Sequence, residues 1–126
     1  MDKDKLDKLK DIKIENFVWG IYIIIIILSY YANSVEKEFL LYDDEKSKKE
    51  YQELMIFIFL ILLIVYYYFA QDGYNKIMEL NENDSNKKKV LSYAAFIGSF
   101  LILISGIIFL YILIVDNEIE TEIAFS

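Results

Sequence analysis

VLSYAAFIGSFLILISGIIFLYILIV, residues 90–115, runs for 26 residues without Asp, Glu, Lys or Arg. As a helix rising 1.5 Å per residue it reaches about 39 Å, beyond the roughly 30 Å of a bilayer's hydrocarbon core. Outward from it, LMIFIFLILLIVYYYFA at 54–70 and FVWGIYIIIIILSYYA at 17–32 are 17 and 16 residues long and equally free of charge. They reach about 26 and 24 Å, and the stretch at 17–32 becomes long enough if it runs through Asn33 and Ser34 to Val35. A soluble domain can hide one such helix. Three of them in 126 residues leave no soluble core to hide in. The expected fold class is all-α: an integral membrane protein with three transmembrane helices, at 17–35, 54–70 and 90–115, in a small bundle with short charged connections.

The rest of the chain divides accordingly into a charged N-terminal segment (1–16), charged loops (36–53 and 71–89) and an acidic tail (116–126), all within one membrane domain, 1–126. The loops are partly helical in pattern. Val35, Phe39 and Tyr42 fall at i, i+4, i+7, so the first helix is expected to continue past the bilayer. Asp43 or Asp44 can cap a new helix, and Glu45 and Lys49 pair at i, i+4. Tyr74, Ile77 and Met78 extend the second helix, which is expected to end near Asn81, where Asn81–Asn86 gives the clearest turn signal. The lysine-rich leader also carries Asp2, Asp4, Asp7, Asp11 and Glu15, and bulky Tyr30 stands where a cleavage site needs a small residue. The first span therefore reads as an uncleaved signal anchor.

Aromatic residues mark the ends of the spans: Trp19, Tyr30 and Tyr31; Tyr51, Tyr66, Tyr67 and Tyr68; Tyr93 and Tyr111. Amphipathic rings collect at membrane–water interfaces, so these are expected to form interfacial belts. Lysines number five, four, four and none in the successive segments outside the spans. The segments on the side of the N-terminus then hold nine lysines and nine acids, the opposite side four lysines and eleven acids. The positive-inside rule places the N-terminus in the cytoplasm and the C-terminus outside a cell membrane crossed three times. Lys87, Lys88 and Lys89, beside the third span, are expected to contact lipid at the inner leaflet. The whole net charge of −7 falls on the outer side, where it reads as a solvated rim.

Composition narrows the chemistry. There is no Cys, no His, no Arg and no Pro. That removes thiolate and imidazole ligands, the commonest general base and the bidentate phosphate clamp. No Asp, Glu, Lys or Arg lies within the spans, so a proton relay or voltage sensor has no residue to occupy. Asp43-Asp44-Glu45 reads as a helix start, and Asn81–Asn86 lacks the glycine and bidentate glutamate of a calcium loop. The sequence points to no enzyme, no cofactor, no metal and no nucleic acid. Heavy use of Ile, Lys, Asn and Tyr, all with A/T-rich codons, points to an AT-rich genome.

The third span holds one further pattern. Ala94, Ala95, Gly98, Ser99, Ser105 and Gly106 fall within an arc of about 140° at 100° per residue, and small residues let helix backbones approach. Tyr93, Phe96, Phe100, Ile104, Ile107 and Tyr111 lie opposite. The small-residue face is expected to pack within the chain, or else to seat a second copy or a membrane partner. The function expected is that of a non-enzymatic scaffold or accessory subunit in the lipid bilayer. Two alternatives stay open. One is a defence protein of the bacteriocin-immunity type, similar in size and composition without a motif to align. The other is a holin-like pore former, which the acidic tail and the narrow polar stripe of the third span disfavour.

Overall fold

The structure, a computed structural model, describes residues 2–116. They form three helices: α1 (Lys3–Tyr42), α2 (Glu45–Met78) and α3 (Asn86–Val115). Each is long and apolar enough to cross a membrane. The three spans expected from the sequence all lie inside these helices, so the all-α reading holds. The helices overrun the spans. At 40 residues α1 is about 60 Å long, so roughly half of it projects beyond a bilayer's hydrocarbon. The charged leader, 1–16, is thus mostly the first turns of α1, begun by the Asp2 carboxylate accepting from the Asp4 amide at 3.4 Å. The acidic tail beyond Asp116 lies outside the described residues.

The chain falls into two compact units, divided between Tyr51 and Gln52. The first comprises α1 and the opening turns of α2. Val18, Ile25 and Ala32 recur every seven residues along α1 and, with Val35, are its buried side chains. A seven-residue repeat keeps one stripe facing one way along a helix. The turn into α2 uses three consecutive acids for three different tasks. Asp43 adopts φ 51°, the left-handed conformation that ends a helix, and its amide donates to the Phe39 carbonyl at 2.8 Å. Asp44 precedes the first helical residue and accepts from the Lys46 amide at 3.1 Å. Glu45 opens α2 and pairs with Lys48 at 3.9 Å, one residue short of the Lys49 pairing expected.

The second unit is an antiparallel hairpin of the rest of α2 with α3. Its register is consistent from end to end. Gln52 meets Leu113, Phe59 meets Phe109, Leu63 and Tyr66 meet Gly106, and Gly73 and Tyr74 meet Phe96. Along α2 this seam lies beside a second buried stripe, Met55, Ile58, Leu62 and Val65. Outward surfaces are densely apolar, with Ile23, Ile24, Ile26, Ile27, Ile64, Ile97, Leu101 and Ile108 all exposed. Such a surface suits hydrocarbon and no aqueous phase.

The hairpin turn is built from polar side chains. α2 ends at Met78, three residues before the expected Asn81, because Leu80 already turns back to donate to the Ile77 carbonyl at 3.1 Å. Asn81 and Asp84 then bond reciprocally: the Asn81 amide donates to the Asp84 carboxylate at 2.7 Å, and the Asp84 amide to the Asn81 carbonyl at 3.1 Å. Ser85 caps α3, its hydroxyl accepting from the Lys88 amide at 3.1 Å. The Asn81 amide, helped by Lys88 and Lys89, holds the Asp84 carboxyl below the usual carboxylate range. A lowered folded value contributes stability that is present above the ordinary value and lost as pH falls through the lowered one. Amide protection across 81–85, measured against the intrinsic exchange rate at each pH, should therefore be high at neutral pH and fall on acidification below the usual aspartate range. Asp84→Asn should flatten that acid limb; an unchanged limb would show that another group governs the turn.

Candidate functional site

α3 carries two distinct faces, and the small residues divide between them. The seam side follows 4-3 spacing: Ser92, Phe96, Ser99, Leu103, Gly106, Leu110 and Leu113 are all buried or half-buried. Gly106 packs tightly in it. A Cβ built there would lie 2.9 Å from Leu63 Cδ2 and 3.1 Å from Tyr66 Cδ2. Nearby, Phe59 and Phe109 pack edge to face with ring centroids 5.9 Å apart. At one end Phe96 lies over Gly73 and beside the Tyr74 ring, centroids 6.0 Å apart. At the other, Gln52 Nε2 donates to the Leu113 carbonyl at 3.0 Å. That carbonyl lies in the last turn of α3, so a side chain of α2 bonds to the end of α3.

Ala94, Ala95, Gly98 and Ser105 are exposed. Nothing lies within 4 Å of a Cβ built on Gly98. Of the six residues grouped by sequence as one packing face, only Ser99 and Gly106 therefore belong to the hairpin seam. Phe96, grouped with the opposite face, belongs to the seam instead. The discrepancy has a geometric cause. At 100° per residue Ala94, Ser105 and Gly98 cluster within about 40°, and Ala95, Gly106 and Ser99 within a second cluster about 100° further round, so the arc spans two faces and only the second borders the seam. The spacing Ser92-Phe96-Ser99-Leu103-Gly106-Leu110-Leu113 is present in the sequence, but the other faces of the span are equally apolar, and the contacts with α2 single this one out.

The aromatic residues also take two roles. Trp19, Tyr30, Tyr31, Tyr67, Tyr68, Tyr93 and Tyr111 are exposed, as a belt at an interface requires. Trp19 packs edge to face on Tyr22, and Tyr68 on Phe69, at centroid distances of 5.8 and 5.5 Å. Tyr31 also donates its hydroxyl to the Glu50 carboxylate at 2.8 Å. Tyr51 is buried and Tyr66 is half-buried against Gly106, so both pack within the chain.

Beside Tyr51 on α2, Ser47 is buried at 4% exposure. Its hydroxyl lies 2.9 Å from an Asp44 carboxylate oxygen and 3.3 Å from one of Glu38. A hydroxyl has one proton, and the shorter contact to Asp44 takes it. Lys48 Nζ sits 5.7 Å from the centre of the Phe39 ring, adding a cation–π contact to the same corner. Among the described residues no group of three acids is arranged to hold a metal ion.

The three lysines that open α3 are not equivalent. Lys88 pairs with Asp84 at 3.2 Å, Lys89 donates to the Glu82 carbonyl at 3.2 Å, and Lys87 has no acidic partner among the described residues. The chain matches no protein-family model, no curated protein and no solved structure.

Proposed function

We propose that this chain is a non-enzymatic integral membrane protein, a scaffold or accessory subunit whose α3 receives a second transmembrane helix on Ala94, Gly98 and Ser105. The observation that carries this reading is the open position of Gly98. Glycine costs about 1 kcal/mol relative to alanine inside a helix. At Gly106 the close approach of Leu63 and Tyr66 accounts for that cost; at Gly98 nothing in the hairpin does. A missing Cβ on a spanning helix lets another backbone come close without lipid between, and Ser105 can add a hydrogen bond across such a contact. Spans without Asp, Glu, Lys or Arg support an assembly role over transport.

The test is a pair of measurements on one variant. Gly98→Leu should abolish cross-linking of α3 to its partner or to a second copy in native membranes. It should leave the unfolding midpoint of the purified chain unchanged, because no seam contact is touched. Intact cross-linking with a lowered midpoint would overturn the assignment and make Gly98 a packing residue of the chain itself.

A further inference from the structure

At the turn end of the hairpin, α2 and α3 line an open groove of about 420 Å³, within the volume range of sites that hold small molecules. Its lining is part basic and part apolar. Lys76 comes from α2, Lys87 and Lys88 from the first turn of α3, and Gly73, Leu91 and Ala95 form the apolar side. The depth of this groove is set by the sequence. Gly73 stands three residues beyond the second apolar span and Leu91 one residue inside the third, each within about 5 Å along the helix of the edge of hydrocarbon. Beside it the two helices are in close contact, since a Cβ on Gly73 would lie 3.3 Å from Phe96 Cα.

We infer that this groove binds one anionic phospholipid, its phosphate held by Lys76, Lys87 and Lys88 and the start of an acyl chain lying along Leu91 and Ala95. Charge complementarity selects the ligand. Lys76 pairs with Asp72 at 3.1 Å and Lys88 with Asp84 at 3.2 Å, while Lys87 has no acidic partner among the described residues, so the lining retains positive charge. In both ion pairs the lysine side chain is more than half exposed, so each ammonium can also reach a phosphate. A soluble anion has no use for Leu91 and Ala95, which are exposed and continuous with the outward surface of α3. A lipid uses both parts at once.

Lys89 supplies the internal control. It is as close in sequence to the span as Lys87 and Lys88, but it does not line the groove and donates to the Glu82 carbonyl. Diffuse attraction to an anionic surface would treat Lys87 and Lys89 alike. A built site treats them differently.

The inference rests on the membrane reading, and partition of the full chain into the detergent phase checks that reading separately. The test uses the detergent-purified chain titrated with phosphatidylglycerol, phosphatidylcholine or inorganic phosphate, with bound lipid counted by native mass spectrometry. One phosphatidylglycerol should be retained in preference to phosphatidylcholine. Lys87→Gln should weaken it about fivefold, the equivalent of about 1 kcal/mol per basic residue near an anionic surface. Lys89→Gln should leave it unchanged. Ala95→Phe, which fills the groove at an exposed position without altering charge, should abolish retention. Equal loss from Lys87→Gln and Lys89→Gln, retention in Ala95→Phe, or equal protection by inorganic phosphate would each overturn the proposal.

Discussion

Gly106→Leu is expected to be the most damaging single substitution in α3, costing about 3 kcal/mol through overpacking. Alanine at the same position is the milder probe. Its Cβ would meet Leu63 Cδ2 at 2.9 Å, the end of a side chain that can rotate away, but also the Tyr66 ring at 3.1 and 3.3 Å. The ring is a rigid plate on a helix already fixed by Phe59, Phe109 and Gln52, so it yields less readily. Against this, alanine gains up to about 1 kcal/mol of helix propensity over glycine, and Gly106→Ala should come out only slightly destabilising. Leucine adds three further carbons into the same seam with no added propensity to offset them. Unfolding in a graded denaturing detergent, followed by near-ultraviolet signals from the seam tyrosine and phenylalanines, would rank the two. Gly98→Leu and Phe100→Leu belong in the same series, since Gly98 is open and Phe100 is exposed. Both should unfold like the parent. If Gly98→Leu were as harmful as Gly106→Leu, the seam of α3 would have been drawn on the wrong face.

That contrast shows where the sequence is legible. The spans could be read because length and absence of charge are one-dimensional properties, and the bilayer converts them directly into helices. The corner acids Asp43, Asp44 and Glu45 and the turn at Asn81–Asn86 were legible for a local reason, as each acts within a few residues of itself. Faces within the spans were not. In a soluble helix the buried side announces itself by being apolar, but in α3 every side is apolar and size is the remaining guide. Size grouped Gly98 with Gly106, although their surroundings are opposite. Tyr51 and Tyr66 pose a related difficulty. A tyrosine near the end of an apolar run fits an interfacial belt or a helix seam equally well, and only its neighbours decide.

Orientation is the expectation with an all-or-none outcome. Because the chain has no cysteine, single cysteines report cleanly. Ser47 looks from the sequence like a convenient loop position, but it is buried between α1 and the start of α2 and would be shielded on either side of the membrane. Lys46 and Asn83 are exposed and serve instead. With the N-terminus in the cytoplasm, an impermeant thiol reagent on intact cells should label Lys46→Cys and spare Asn83→Cys until the membrane is permeabilised. The lysine arithmetic behind this is nine against four, but Lys46, Lys48 and Lys49 lie close to the second span and pull the other way. Lys48 is partly occupied by Glu45 and the Phe39 ring, which reduces that pull. Lys87, by contrast, is unpaired by any acid among the described residues and stands at the edge of the third span. The reverse pattern, with only Asn83→Cys labelled, would move the acidic surplus into the cytoplasm. It would also put the basic groove against the outer leaflet, where its anionic lipid would have to be supplied from that side. The same labelling experiment thus decides which leaflet Lys76, Lys87 and Lys88 face.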